Sequence, residues 1–144
     1  MKTRIAIVVI CLLTGIVGCH RTGDEQRIRD AISMMARALE QGLPRDFMAY
    51  VAEDFTGNDG AFDRAGLHNL LRAIVLRNEK IGVILGPIDV ELQSDRATVH
   101  NTATFTGGSA GLLPERGAIY TFTSGWKREG SDWRCYNASW QRKL

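Results

Sequence analysis

The chain carries three hydrophobic rhythms, and each predicts a different kind of element. Residues 5–13 are apolar except for small residues; Lys2 and Arg4 precede them, and Ile16-Val17-Gly18 closes the run before Cys19. Further on, Ile28, Ile32, Met35 and Leu39 fall at helical spacing and share one face. Thr22 and Glu25 have the spacing of a capping box and predict where that helix starts. Gly42 stops it, and Pro44 begins a short second helix over residues 44–52. Residues 54–62 are turn-rich around Gly57-Asn58-Asp59-Gly60. Asp63 is placed to cap a third helix whose buried stripe is Leu67, Leu70, Leu71 and Ile74, with Arg64, Arg72 and Arg77 toward water.

From Ile81 the period becomes two. Ile81, Val83 and Leu85 alternate at odd positions, whereas Ile88, Val90 and Leu92 alternate at even ones, so the parity changes across Gly86-Pro87. A bulge or bend there keeps both halves facing one core. Further strands are predicted over residues 96–106, 118–128 and 133–141, the last two joined by the turn Glu129-Gly130-Ser131-Asp132. Three helices followed by a bent antiparallel sheet make an α+β domain with its helices on one face.

The first eighteen residues have the layout of a secretory signal: a basic lead, an apolar middle and a small-residue cleavage site. The run is well short of the roughly 20 apolar residues that cross a bilayer. Ile16-Val17-Gly18-Cys19 resembles the lipobox of bacterial lipoproteins. That resemblance implies removal of residues 1–18 and an acylated Cys19 as the first residue of the mature chain. Residues 19–23 then form a short tether and residues 24–144 the domain. His20, where lipoproteins kept in the inner membrane carry Asp, implies the outer membrane, facing the periplasm. Loss of Lys2 and Arg4 brings the basic residues from 18 to 16, equal to the 16 acidic ones. A neutral domain lacks the positive footprint that phosphate backbones require, so nucleic acid is excluded as a partner. Cys11 leaves with the leader and Cys19 is acylated, so Cys135 stands alone and is expected to be a buried structural thiol.

The order of elements resembles the nuclear transport factor 2-like superfamily, which includes ketosteroid isomerase, scytalone dehydratase and SnoaL-like polyketide cyclases. The resemblance is carried by the final hairpin, Trp126-Lys127-Arg128-Glu129-Gly130-Ser131-Asp132-Trp133 running into Arg134-Cys135-Tyr136-Asn137-Ala138-Ser139-Trp140, and by the stretch from Tyr50 to Phe55. It implies a cone-shaped domain, with the sheet curled around a long helix and a pocket at the open end. Residues 56–62 depart from the pattern, being too short and polar for a well-developed early hairpin.

On such a cone, strand alternation turns Asn101, Tyr120, Ser124, Cys135, Asn137 and Ser139 toward the core, and Trp126 joins them as a pocket residue. Enzymes of the resembled family rely on an inward carboxylate or histidine assisted by tyrosine; Asp54, at the rim by analogy, and Tyr120 are the acid/base candidates. His20, His68 and His100 have no metal-ligand spacing, Met34 and Met35 read as packing residues, and neither a metal nor a cofactor is expected. Leu112 and Leu113 give the glycine-rich connection after residue 106 an apolar tip, a candidate lid or docking patch. The outer sheet face, with Thr102, Thr104, Thr121 and Thr123, is a candidate homodimer surface.

The leading expectation is a lipid-anchored envelope protein that binds a small, largely apolar ligand or an envelope partner without catalysis. The alternatives are an isomerase, dehydratase or cyclase acting on an apolar substrate, and a structural interaction module with a filled cone. Intact mass of the protein purified from membranes tests the anchor. The wild-type chain is expected to start at an acylated Cys19, and Cys19→Ala to retain its leader; a wild-type chain still starting at Met1 contradicts the reading.

Overall fold

The computed structural model describes residues 19–107 and 117–144, with side chains from Gly23 onward. Residues 1–18, Leu112 and Leu113 therefore lie outside the described residues, and Cys19 is described by its backbone alone. No described helix is long and apolar enough to cross a membrane.

Helix α1 spans Cys19–Glu40. It starts earlier than the spacing of Thr22 and Glu25 predicts, so the residues expected to form an extended tether continue the helix instead. A helix already held by Ile28, Ala31 and Ile32, all buried, adds one backbone hydrogen bond for each residue it extends. Gly42, at φ +70°, ends it in the left-handed region that a glycine reaches without steric cost. Helix α2 is a single turn, Pro44–Met48, shorter than predicted because Val51 and Ala52 belong to the next strand. Helix α3, Arg64–Arg77, is capped as expected: the Asp63 carboxylate accepts from Gly66 N at 2.7 Å. Arg64 is not free in water. Its guanidinium donates to Met48 O and Val51 O, tying α3 to the link between α2 and the sheet.

Six strands form one sheet: β1 Val51–Gly57, β2 Phe62–Asp63, β3 Gly82–Gln93, β4 Arg96–Thr106, β5 Ala118–Glu129 and β6 Asp132–Arg142. Their order is β2-β1-β6-β5-β4-β3. The sheet is mixed where sequence alternation predicted an antiparallel one, because β1 lies parallel to β6. The crossover that a parallel pair needs is supplied by everything between them. Strand β1 sits in the stretch expected to be helix and turn. The β1–β2 hairpin is as short as the polar composition implied, with β2 only two residues long. Its turn holds Asn58, Asp59 and Gly60 at positive φ, a conformation these residue types adopt most cheaply.

Two strands carry one residue too many for their partners. In β3, Leu85 pairs with Ala103 and Ile88 with Asn101, so Gly86-Pro87 bulges opposite Thr102 as the parity change predicted. A Cβ on Gly86 would lie 2.1 Å from the Thr102 hydroxyl, and the missing N–H of Pro87 is tolerated on an edge strand. In β6, Trp126 pairs with Cys135 but Gly125 with Asn137, which leaves Tyr136 unpaired. The Tyr136 ring lies where a side chain on residue 125 would stand, 2.9 Å from an added Cβ.

One half of the cone is solid. Ile28, Ala97, Val99, Trp126 and Trp133 fill it, and Val99 and Ile28 are completely buried. Removing each such aliphatic chain from water contributes about 1.5–3 kcal/mol. Asp24, also buried, locks α1 onto the β5–β6 hairpin: Oδ2 accepts from Arg128 at 2.6 Å and Oδ1 from the Trp133 indole N–H at 3.1 Å. Asp24→Ala leaves that indole donor without a partner in the core. Urea unfolding is expected to show a loss of about 1–3 kcal/mol; no loss would show that the lock contributes nothing to stability.

Candidate functional site

The other half of the cone is hollow. A cavity of about 610 Å³ lies between α1, α3 and the inner face of the sheet. Its apolar wall includes Met35, Leu39, Phe47, Phe55, Leu70, Ile74, Val83, Phe105 and Phe122. The polar members of the wall are Asn58, Asn101, Tyr120, Ser124 and Cys135, and the described lining holds no carboxylate, histidine, lysine or arginine. Among the described residues there is also no cluster of His, Cys, Asp or Glu suited to a metal ion.

Strand pairing sets the polar groups in a row. On the inner face Val99 stands opposite Ser124, Asn101 opposite Phe122, and Ala103 opposite Tyr120. Asn101 is therefore the diagonal neighbour of both Ser124 and Tyr120, a separation of roughly 7–8 Å between backbones that side chains of this length can bridge. The Trp126 indole donates to Ser124 Oγ at 2.9 Å. One Ser124 lone pair is thus taken, and its own O–H is left for another acceptor. Asn101 makes only a long contact to Thr102 O at 3.5 Å, at the limit of a hydrogen bond. Phe105, Tyr120 and Phe122 form an edge-to-face and tilted aromatic group beside this row.

Asn101, Tyr120, Ser124 and Trp126 are thus brought together as alternation predicted. Asn137 is not. The extra residue at Tyr136 reverses the faces of β6, so Trp133 and Cys135 point inward on one side of the bulge, and Ala138 and Trp140 on the other. Asn137 and Ser139 turn out to solvent, and Asn137 Nδ2 donates to Thr56 Oγ1 on the outer side at 3.2 Å. Asp54 is likewise outside the cavity. In the second half of β1 Phe55 and Gly57 are buried while Asp54 and Thr56 are exposed, which places Asp54 on the opposite face. There its Oδ1 accepts from Lys127 Nζ at 2.7 Å, and that hydrogen bond holds the carboxyl below its usual range. A solvent-facing carboxylate whose basicity is lowered further is a weak base, is seldom protonated to act as an acid, and stands outside the apolar pocket.

Asn58 is a lining residue that sequence reasoning passed over as turn chemistry. Its Oδ1 accepts from Trp140 N at 2.9 Å, which fixes the hairpin end over the cavity. The one available signal was an Asn at a turn adjoining the aromatic positions Phe55 and Phe62. His100 lies on the outer face, hydrogen-bonded to Thr123 Oγ1 at 3.2 Å.

This architecture is a nuclear transport factor 2-like fold. No family model and no curated protein matches the chain. Solved structures do. A scytalone dehydratase-like protein from Novosphingobium aromaticivorans superposes with a TM-score of 0.74 at 14% identity, covering 86% of this chain and 87% of that one. Hexachlorocyclohexane dehydrochlorinase LinA-type3 from Novosphingobium barchaimii gives 0.71 at 13%, over 86% and 89%. An NTF2-like protein of unknown function from Pseudomonas putida gives 0.71 at 18%, over 83% and 87%. At these identities the likeness establishes the fold and transfers no residue's role.

Cys135 faces the cavity as a neutral thiol. Burial pushes it up to about 12 from an ordinary 9.0, and its S–H donates to Asn137 O at 3.3 Å. Below pH 9.0 the thiol is protonated in both the folded and unfolded chain, and its contribution to stability is complete. Between 9.0 and about 12 the unfolded thiol ionises first, so that contribution falls as pH rises. Two outcomes are expected: slow reaction with a thiol reagent at pH 8 until denaturant is added, and a Cys135→Ala variant that loses less stability than wild type across that alkaline window. Rapid labelling of the folded protein would contradict the assignment.

Proposed function

We propose that this chain is a lipid-anchored envelope protein whose cavity binds a small, uncharged, largely apolar molecule without transforming it. The observation that carries this reading is the absence of any charged or imidazole side chain from the described lining of a cavity of about 610 Å³. That volume lies within the range of small-molecule sites, roughly 300–1,000 Å³. An anionic or cationic ligand entering it would lose its hydration and meet no counter-charge, which costs several kcal/mol or more. An uncharged molecule gains burial against the aromatic and aliphatic wall. One or two of its oxygens find the Ser124 hydroxyl, the Asn101 amide and the Tyr120 phenol. Anchoring rests on the leader and on Cys19, and it puts the domain in the cell envelope, with His20 favouring the outer membrane. The outer sheet face, with its rows of threonines, is the surface proposed for pairing with a second copy.

A second reading, elimination chemistry, has its support in the dehydratase and dehydrochlorinase among the structural neighbours. Here it would rest on Tyr120 alone. Asp54 is turned to solvent, and the Cys135 thiol is held neutral.

Native mass spectrometry of the gently purified protein, with the neutral dye N-phenyl-1-naphthylamine as a surrogate ligand, separates the readings. A bound neutral species, returned chemically unchanged after prolonged incubation, is expected. Leu70→Trp, which fills the hollow from the α3 side, is expected to weaken dye binding by about tenfold or more, equivalent to about 1.4 kcal/mol, without lowering the melting temperature. Full binding by that variant, or release of a chemically altered ligand, would overturn the proposal.

A further inference from the structure

We infer that the cavity opens on the side of the domain turned away from the anchored terminus, so that ligand is exchanged with the aqueous compartment and not with the membrane that holds the chain. This inference rests on the lipid attachment at Cys19 proposed above; the orientation itself comes from the fold.

Helix α1 has 22 residues and so spans about 33 Å at 1.5 Å per residue. Both of its ends are pinned. Near the start, Asp24 holds Arg128 and Trp133, and the Arg27 guanidinium donates to Ser131 O at 3.3 Å, so the N-terminal end lies against the β5–β6 turn. That turn is level with the β3–β4 turn, since Arg128 N donates to Asp95 O at 2.9 Å. At the far end the Glu40 carboxylate accepts from Val83 N at 3.0 Å, beside the start of β3.

The solid half of the cone lies at the Asp24 end. Ile28, Ala97, Val99 and Trp133 are all at least nine-tenths buried, and none of them lines the cavity. They stand between the anchored terminus and the hollow. Burial along β5 gives the direction of opening. Four cavity-lining residues follow one another along this strand: Trp126 and Ser124 are buried, Phe122 and Tyr120 half-buried. On strand β4 the larger side chains follow the same course, from Val99 fully enclosed to Asn101 and Phe105 half-buried, whereas the small Ala103 and, at the start of β5, Ala118 stay buried. Access therefore improves toward the end of the sheet farthest from Asp24.

The helical start at Cys19 makes this polarity matter. Four residues, or five helical steps, separate Cys19 from Asp24 and reach about 7.5 Å, where an extended tether would reach roughly twice as far and swivel. A domain held on so short a helical stalk keeps its solid end down and its mouth up.

The test is site-directed fluorescence on the full, lipidated chain reconstituted into vesicles that contain nitroxide-labelled phosphatidylcholine. Bimane is attached at Ser131→Cys, on the solid end, or at Lys143→Cys, whose backbone N bonds to Ile119 O at the open end. Cys135 is buried and stays unlabelled. The Ser131→Cys label is expected to be quenched severalfold more strongly than the Lys143→Cys label. Equal quenching, stronger quenching at Lys143→Cys, or no quenching of either label in a protein whose intact mass shows acylation would overturn the orientation and leave the anchor standing. An intact mass lacking acyl chains would overturn the anchor, and this inference with it.

Discussion

Two surplus residues, one at Gly86-Pro87 in β3 and one at Tyr136 in β6, decide which side chains line the interior of this protein. A strand has two faces, and a single inserted residue exchanges them for everything beyond it. In β3 the exchange keeps Val83 and Leu85 on the same side as Ile88 and Val90, so one apolar face runs the length of a bent edge strand. In β6 it delivers Trp133 and Cys135 inward on one side of the bulge and Ala138 and Trp140 on the other. Without that step Asn137 and Ser139 would line the hollow, and Ala138 and Trp140 would stand in water. Each bulge is accommodated by a neighbouring glycine: Gly86 beneath Thr102, and Gly125 beneath the Tyr136 ring.

The same constraint explains why the interior is uncharged. Asp54, the one ionic group expected at the pocket rim, belongs to the other side of the sheet once the faces are set. Asp54, Lys127, Glu129 and Arg134 form a continuous outer network, with Lys127 to Asp54 at 2.7 Å, Lys127 to Glu129 at 3.3 Å and Arg134 to Glu129 at 3.1 Å. Such a network on a solvated face stabilises only modestly. Its structural effect is to bridge β1 and β5 across β6 and to hold the carboxylate most attractive for catalysis outside the cavity. What the described residues leave inside is a short row of neutral hydrogen-bonding groups in an apolar wall.

The cone is divided lengthwise. Its solid half is made by the large residues of β5 and β6, Trp126 and Trp133, closing on Ile28 of α1. In its hollow half the sheet faces Leu39 of α1 and Leu70 and Ile74 of α3 across the cavity. Among the described residues, only the solid half is cross-braced by a buried carboxylate, Asp24, and that brace sits near the start of α1. The packed core and the hollow thus lie toward opposite ends of one sheet.

Periodicity alone was enough for α1, α3 and all four long strands, because apolar side chains repeating at 3.6 or 2 residues have few other ways to leave water. It also revealed the bulge in β3, where Gly86-Pro87 marks the parity change in plain view. The uncharged row Asn101, Tyr120 and Ser124 was legible for the same reason. Three features were settled only by tertiary contact. Strand β1 has too little alternation of its own and exists because it pairs in parallel with β6, more than seventy residues away. The bulge at Tyr136 carries no punctuating Pro or Gly within its own strand; it is defined by Gly125 across the ladder. The outward turn of Asp54 follows from Phe55 taking the inward place. A local pattern specifies how often a side chain is buried, but only the partner strand specifies which face is the inside.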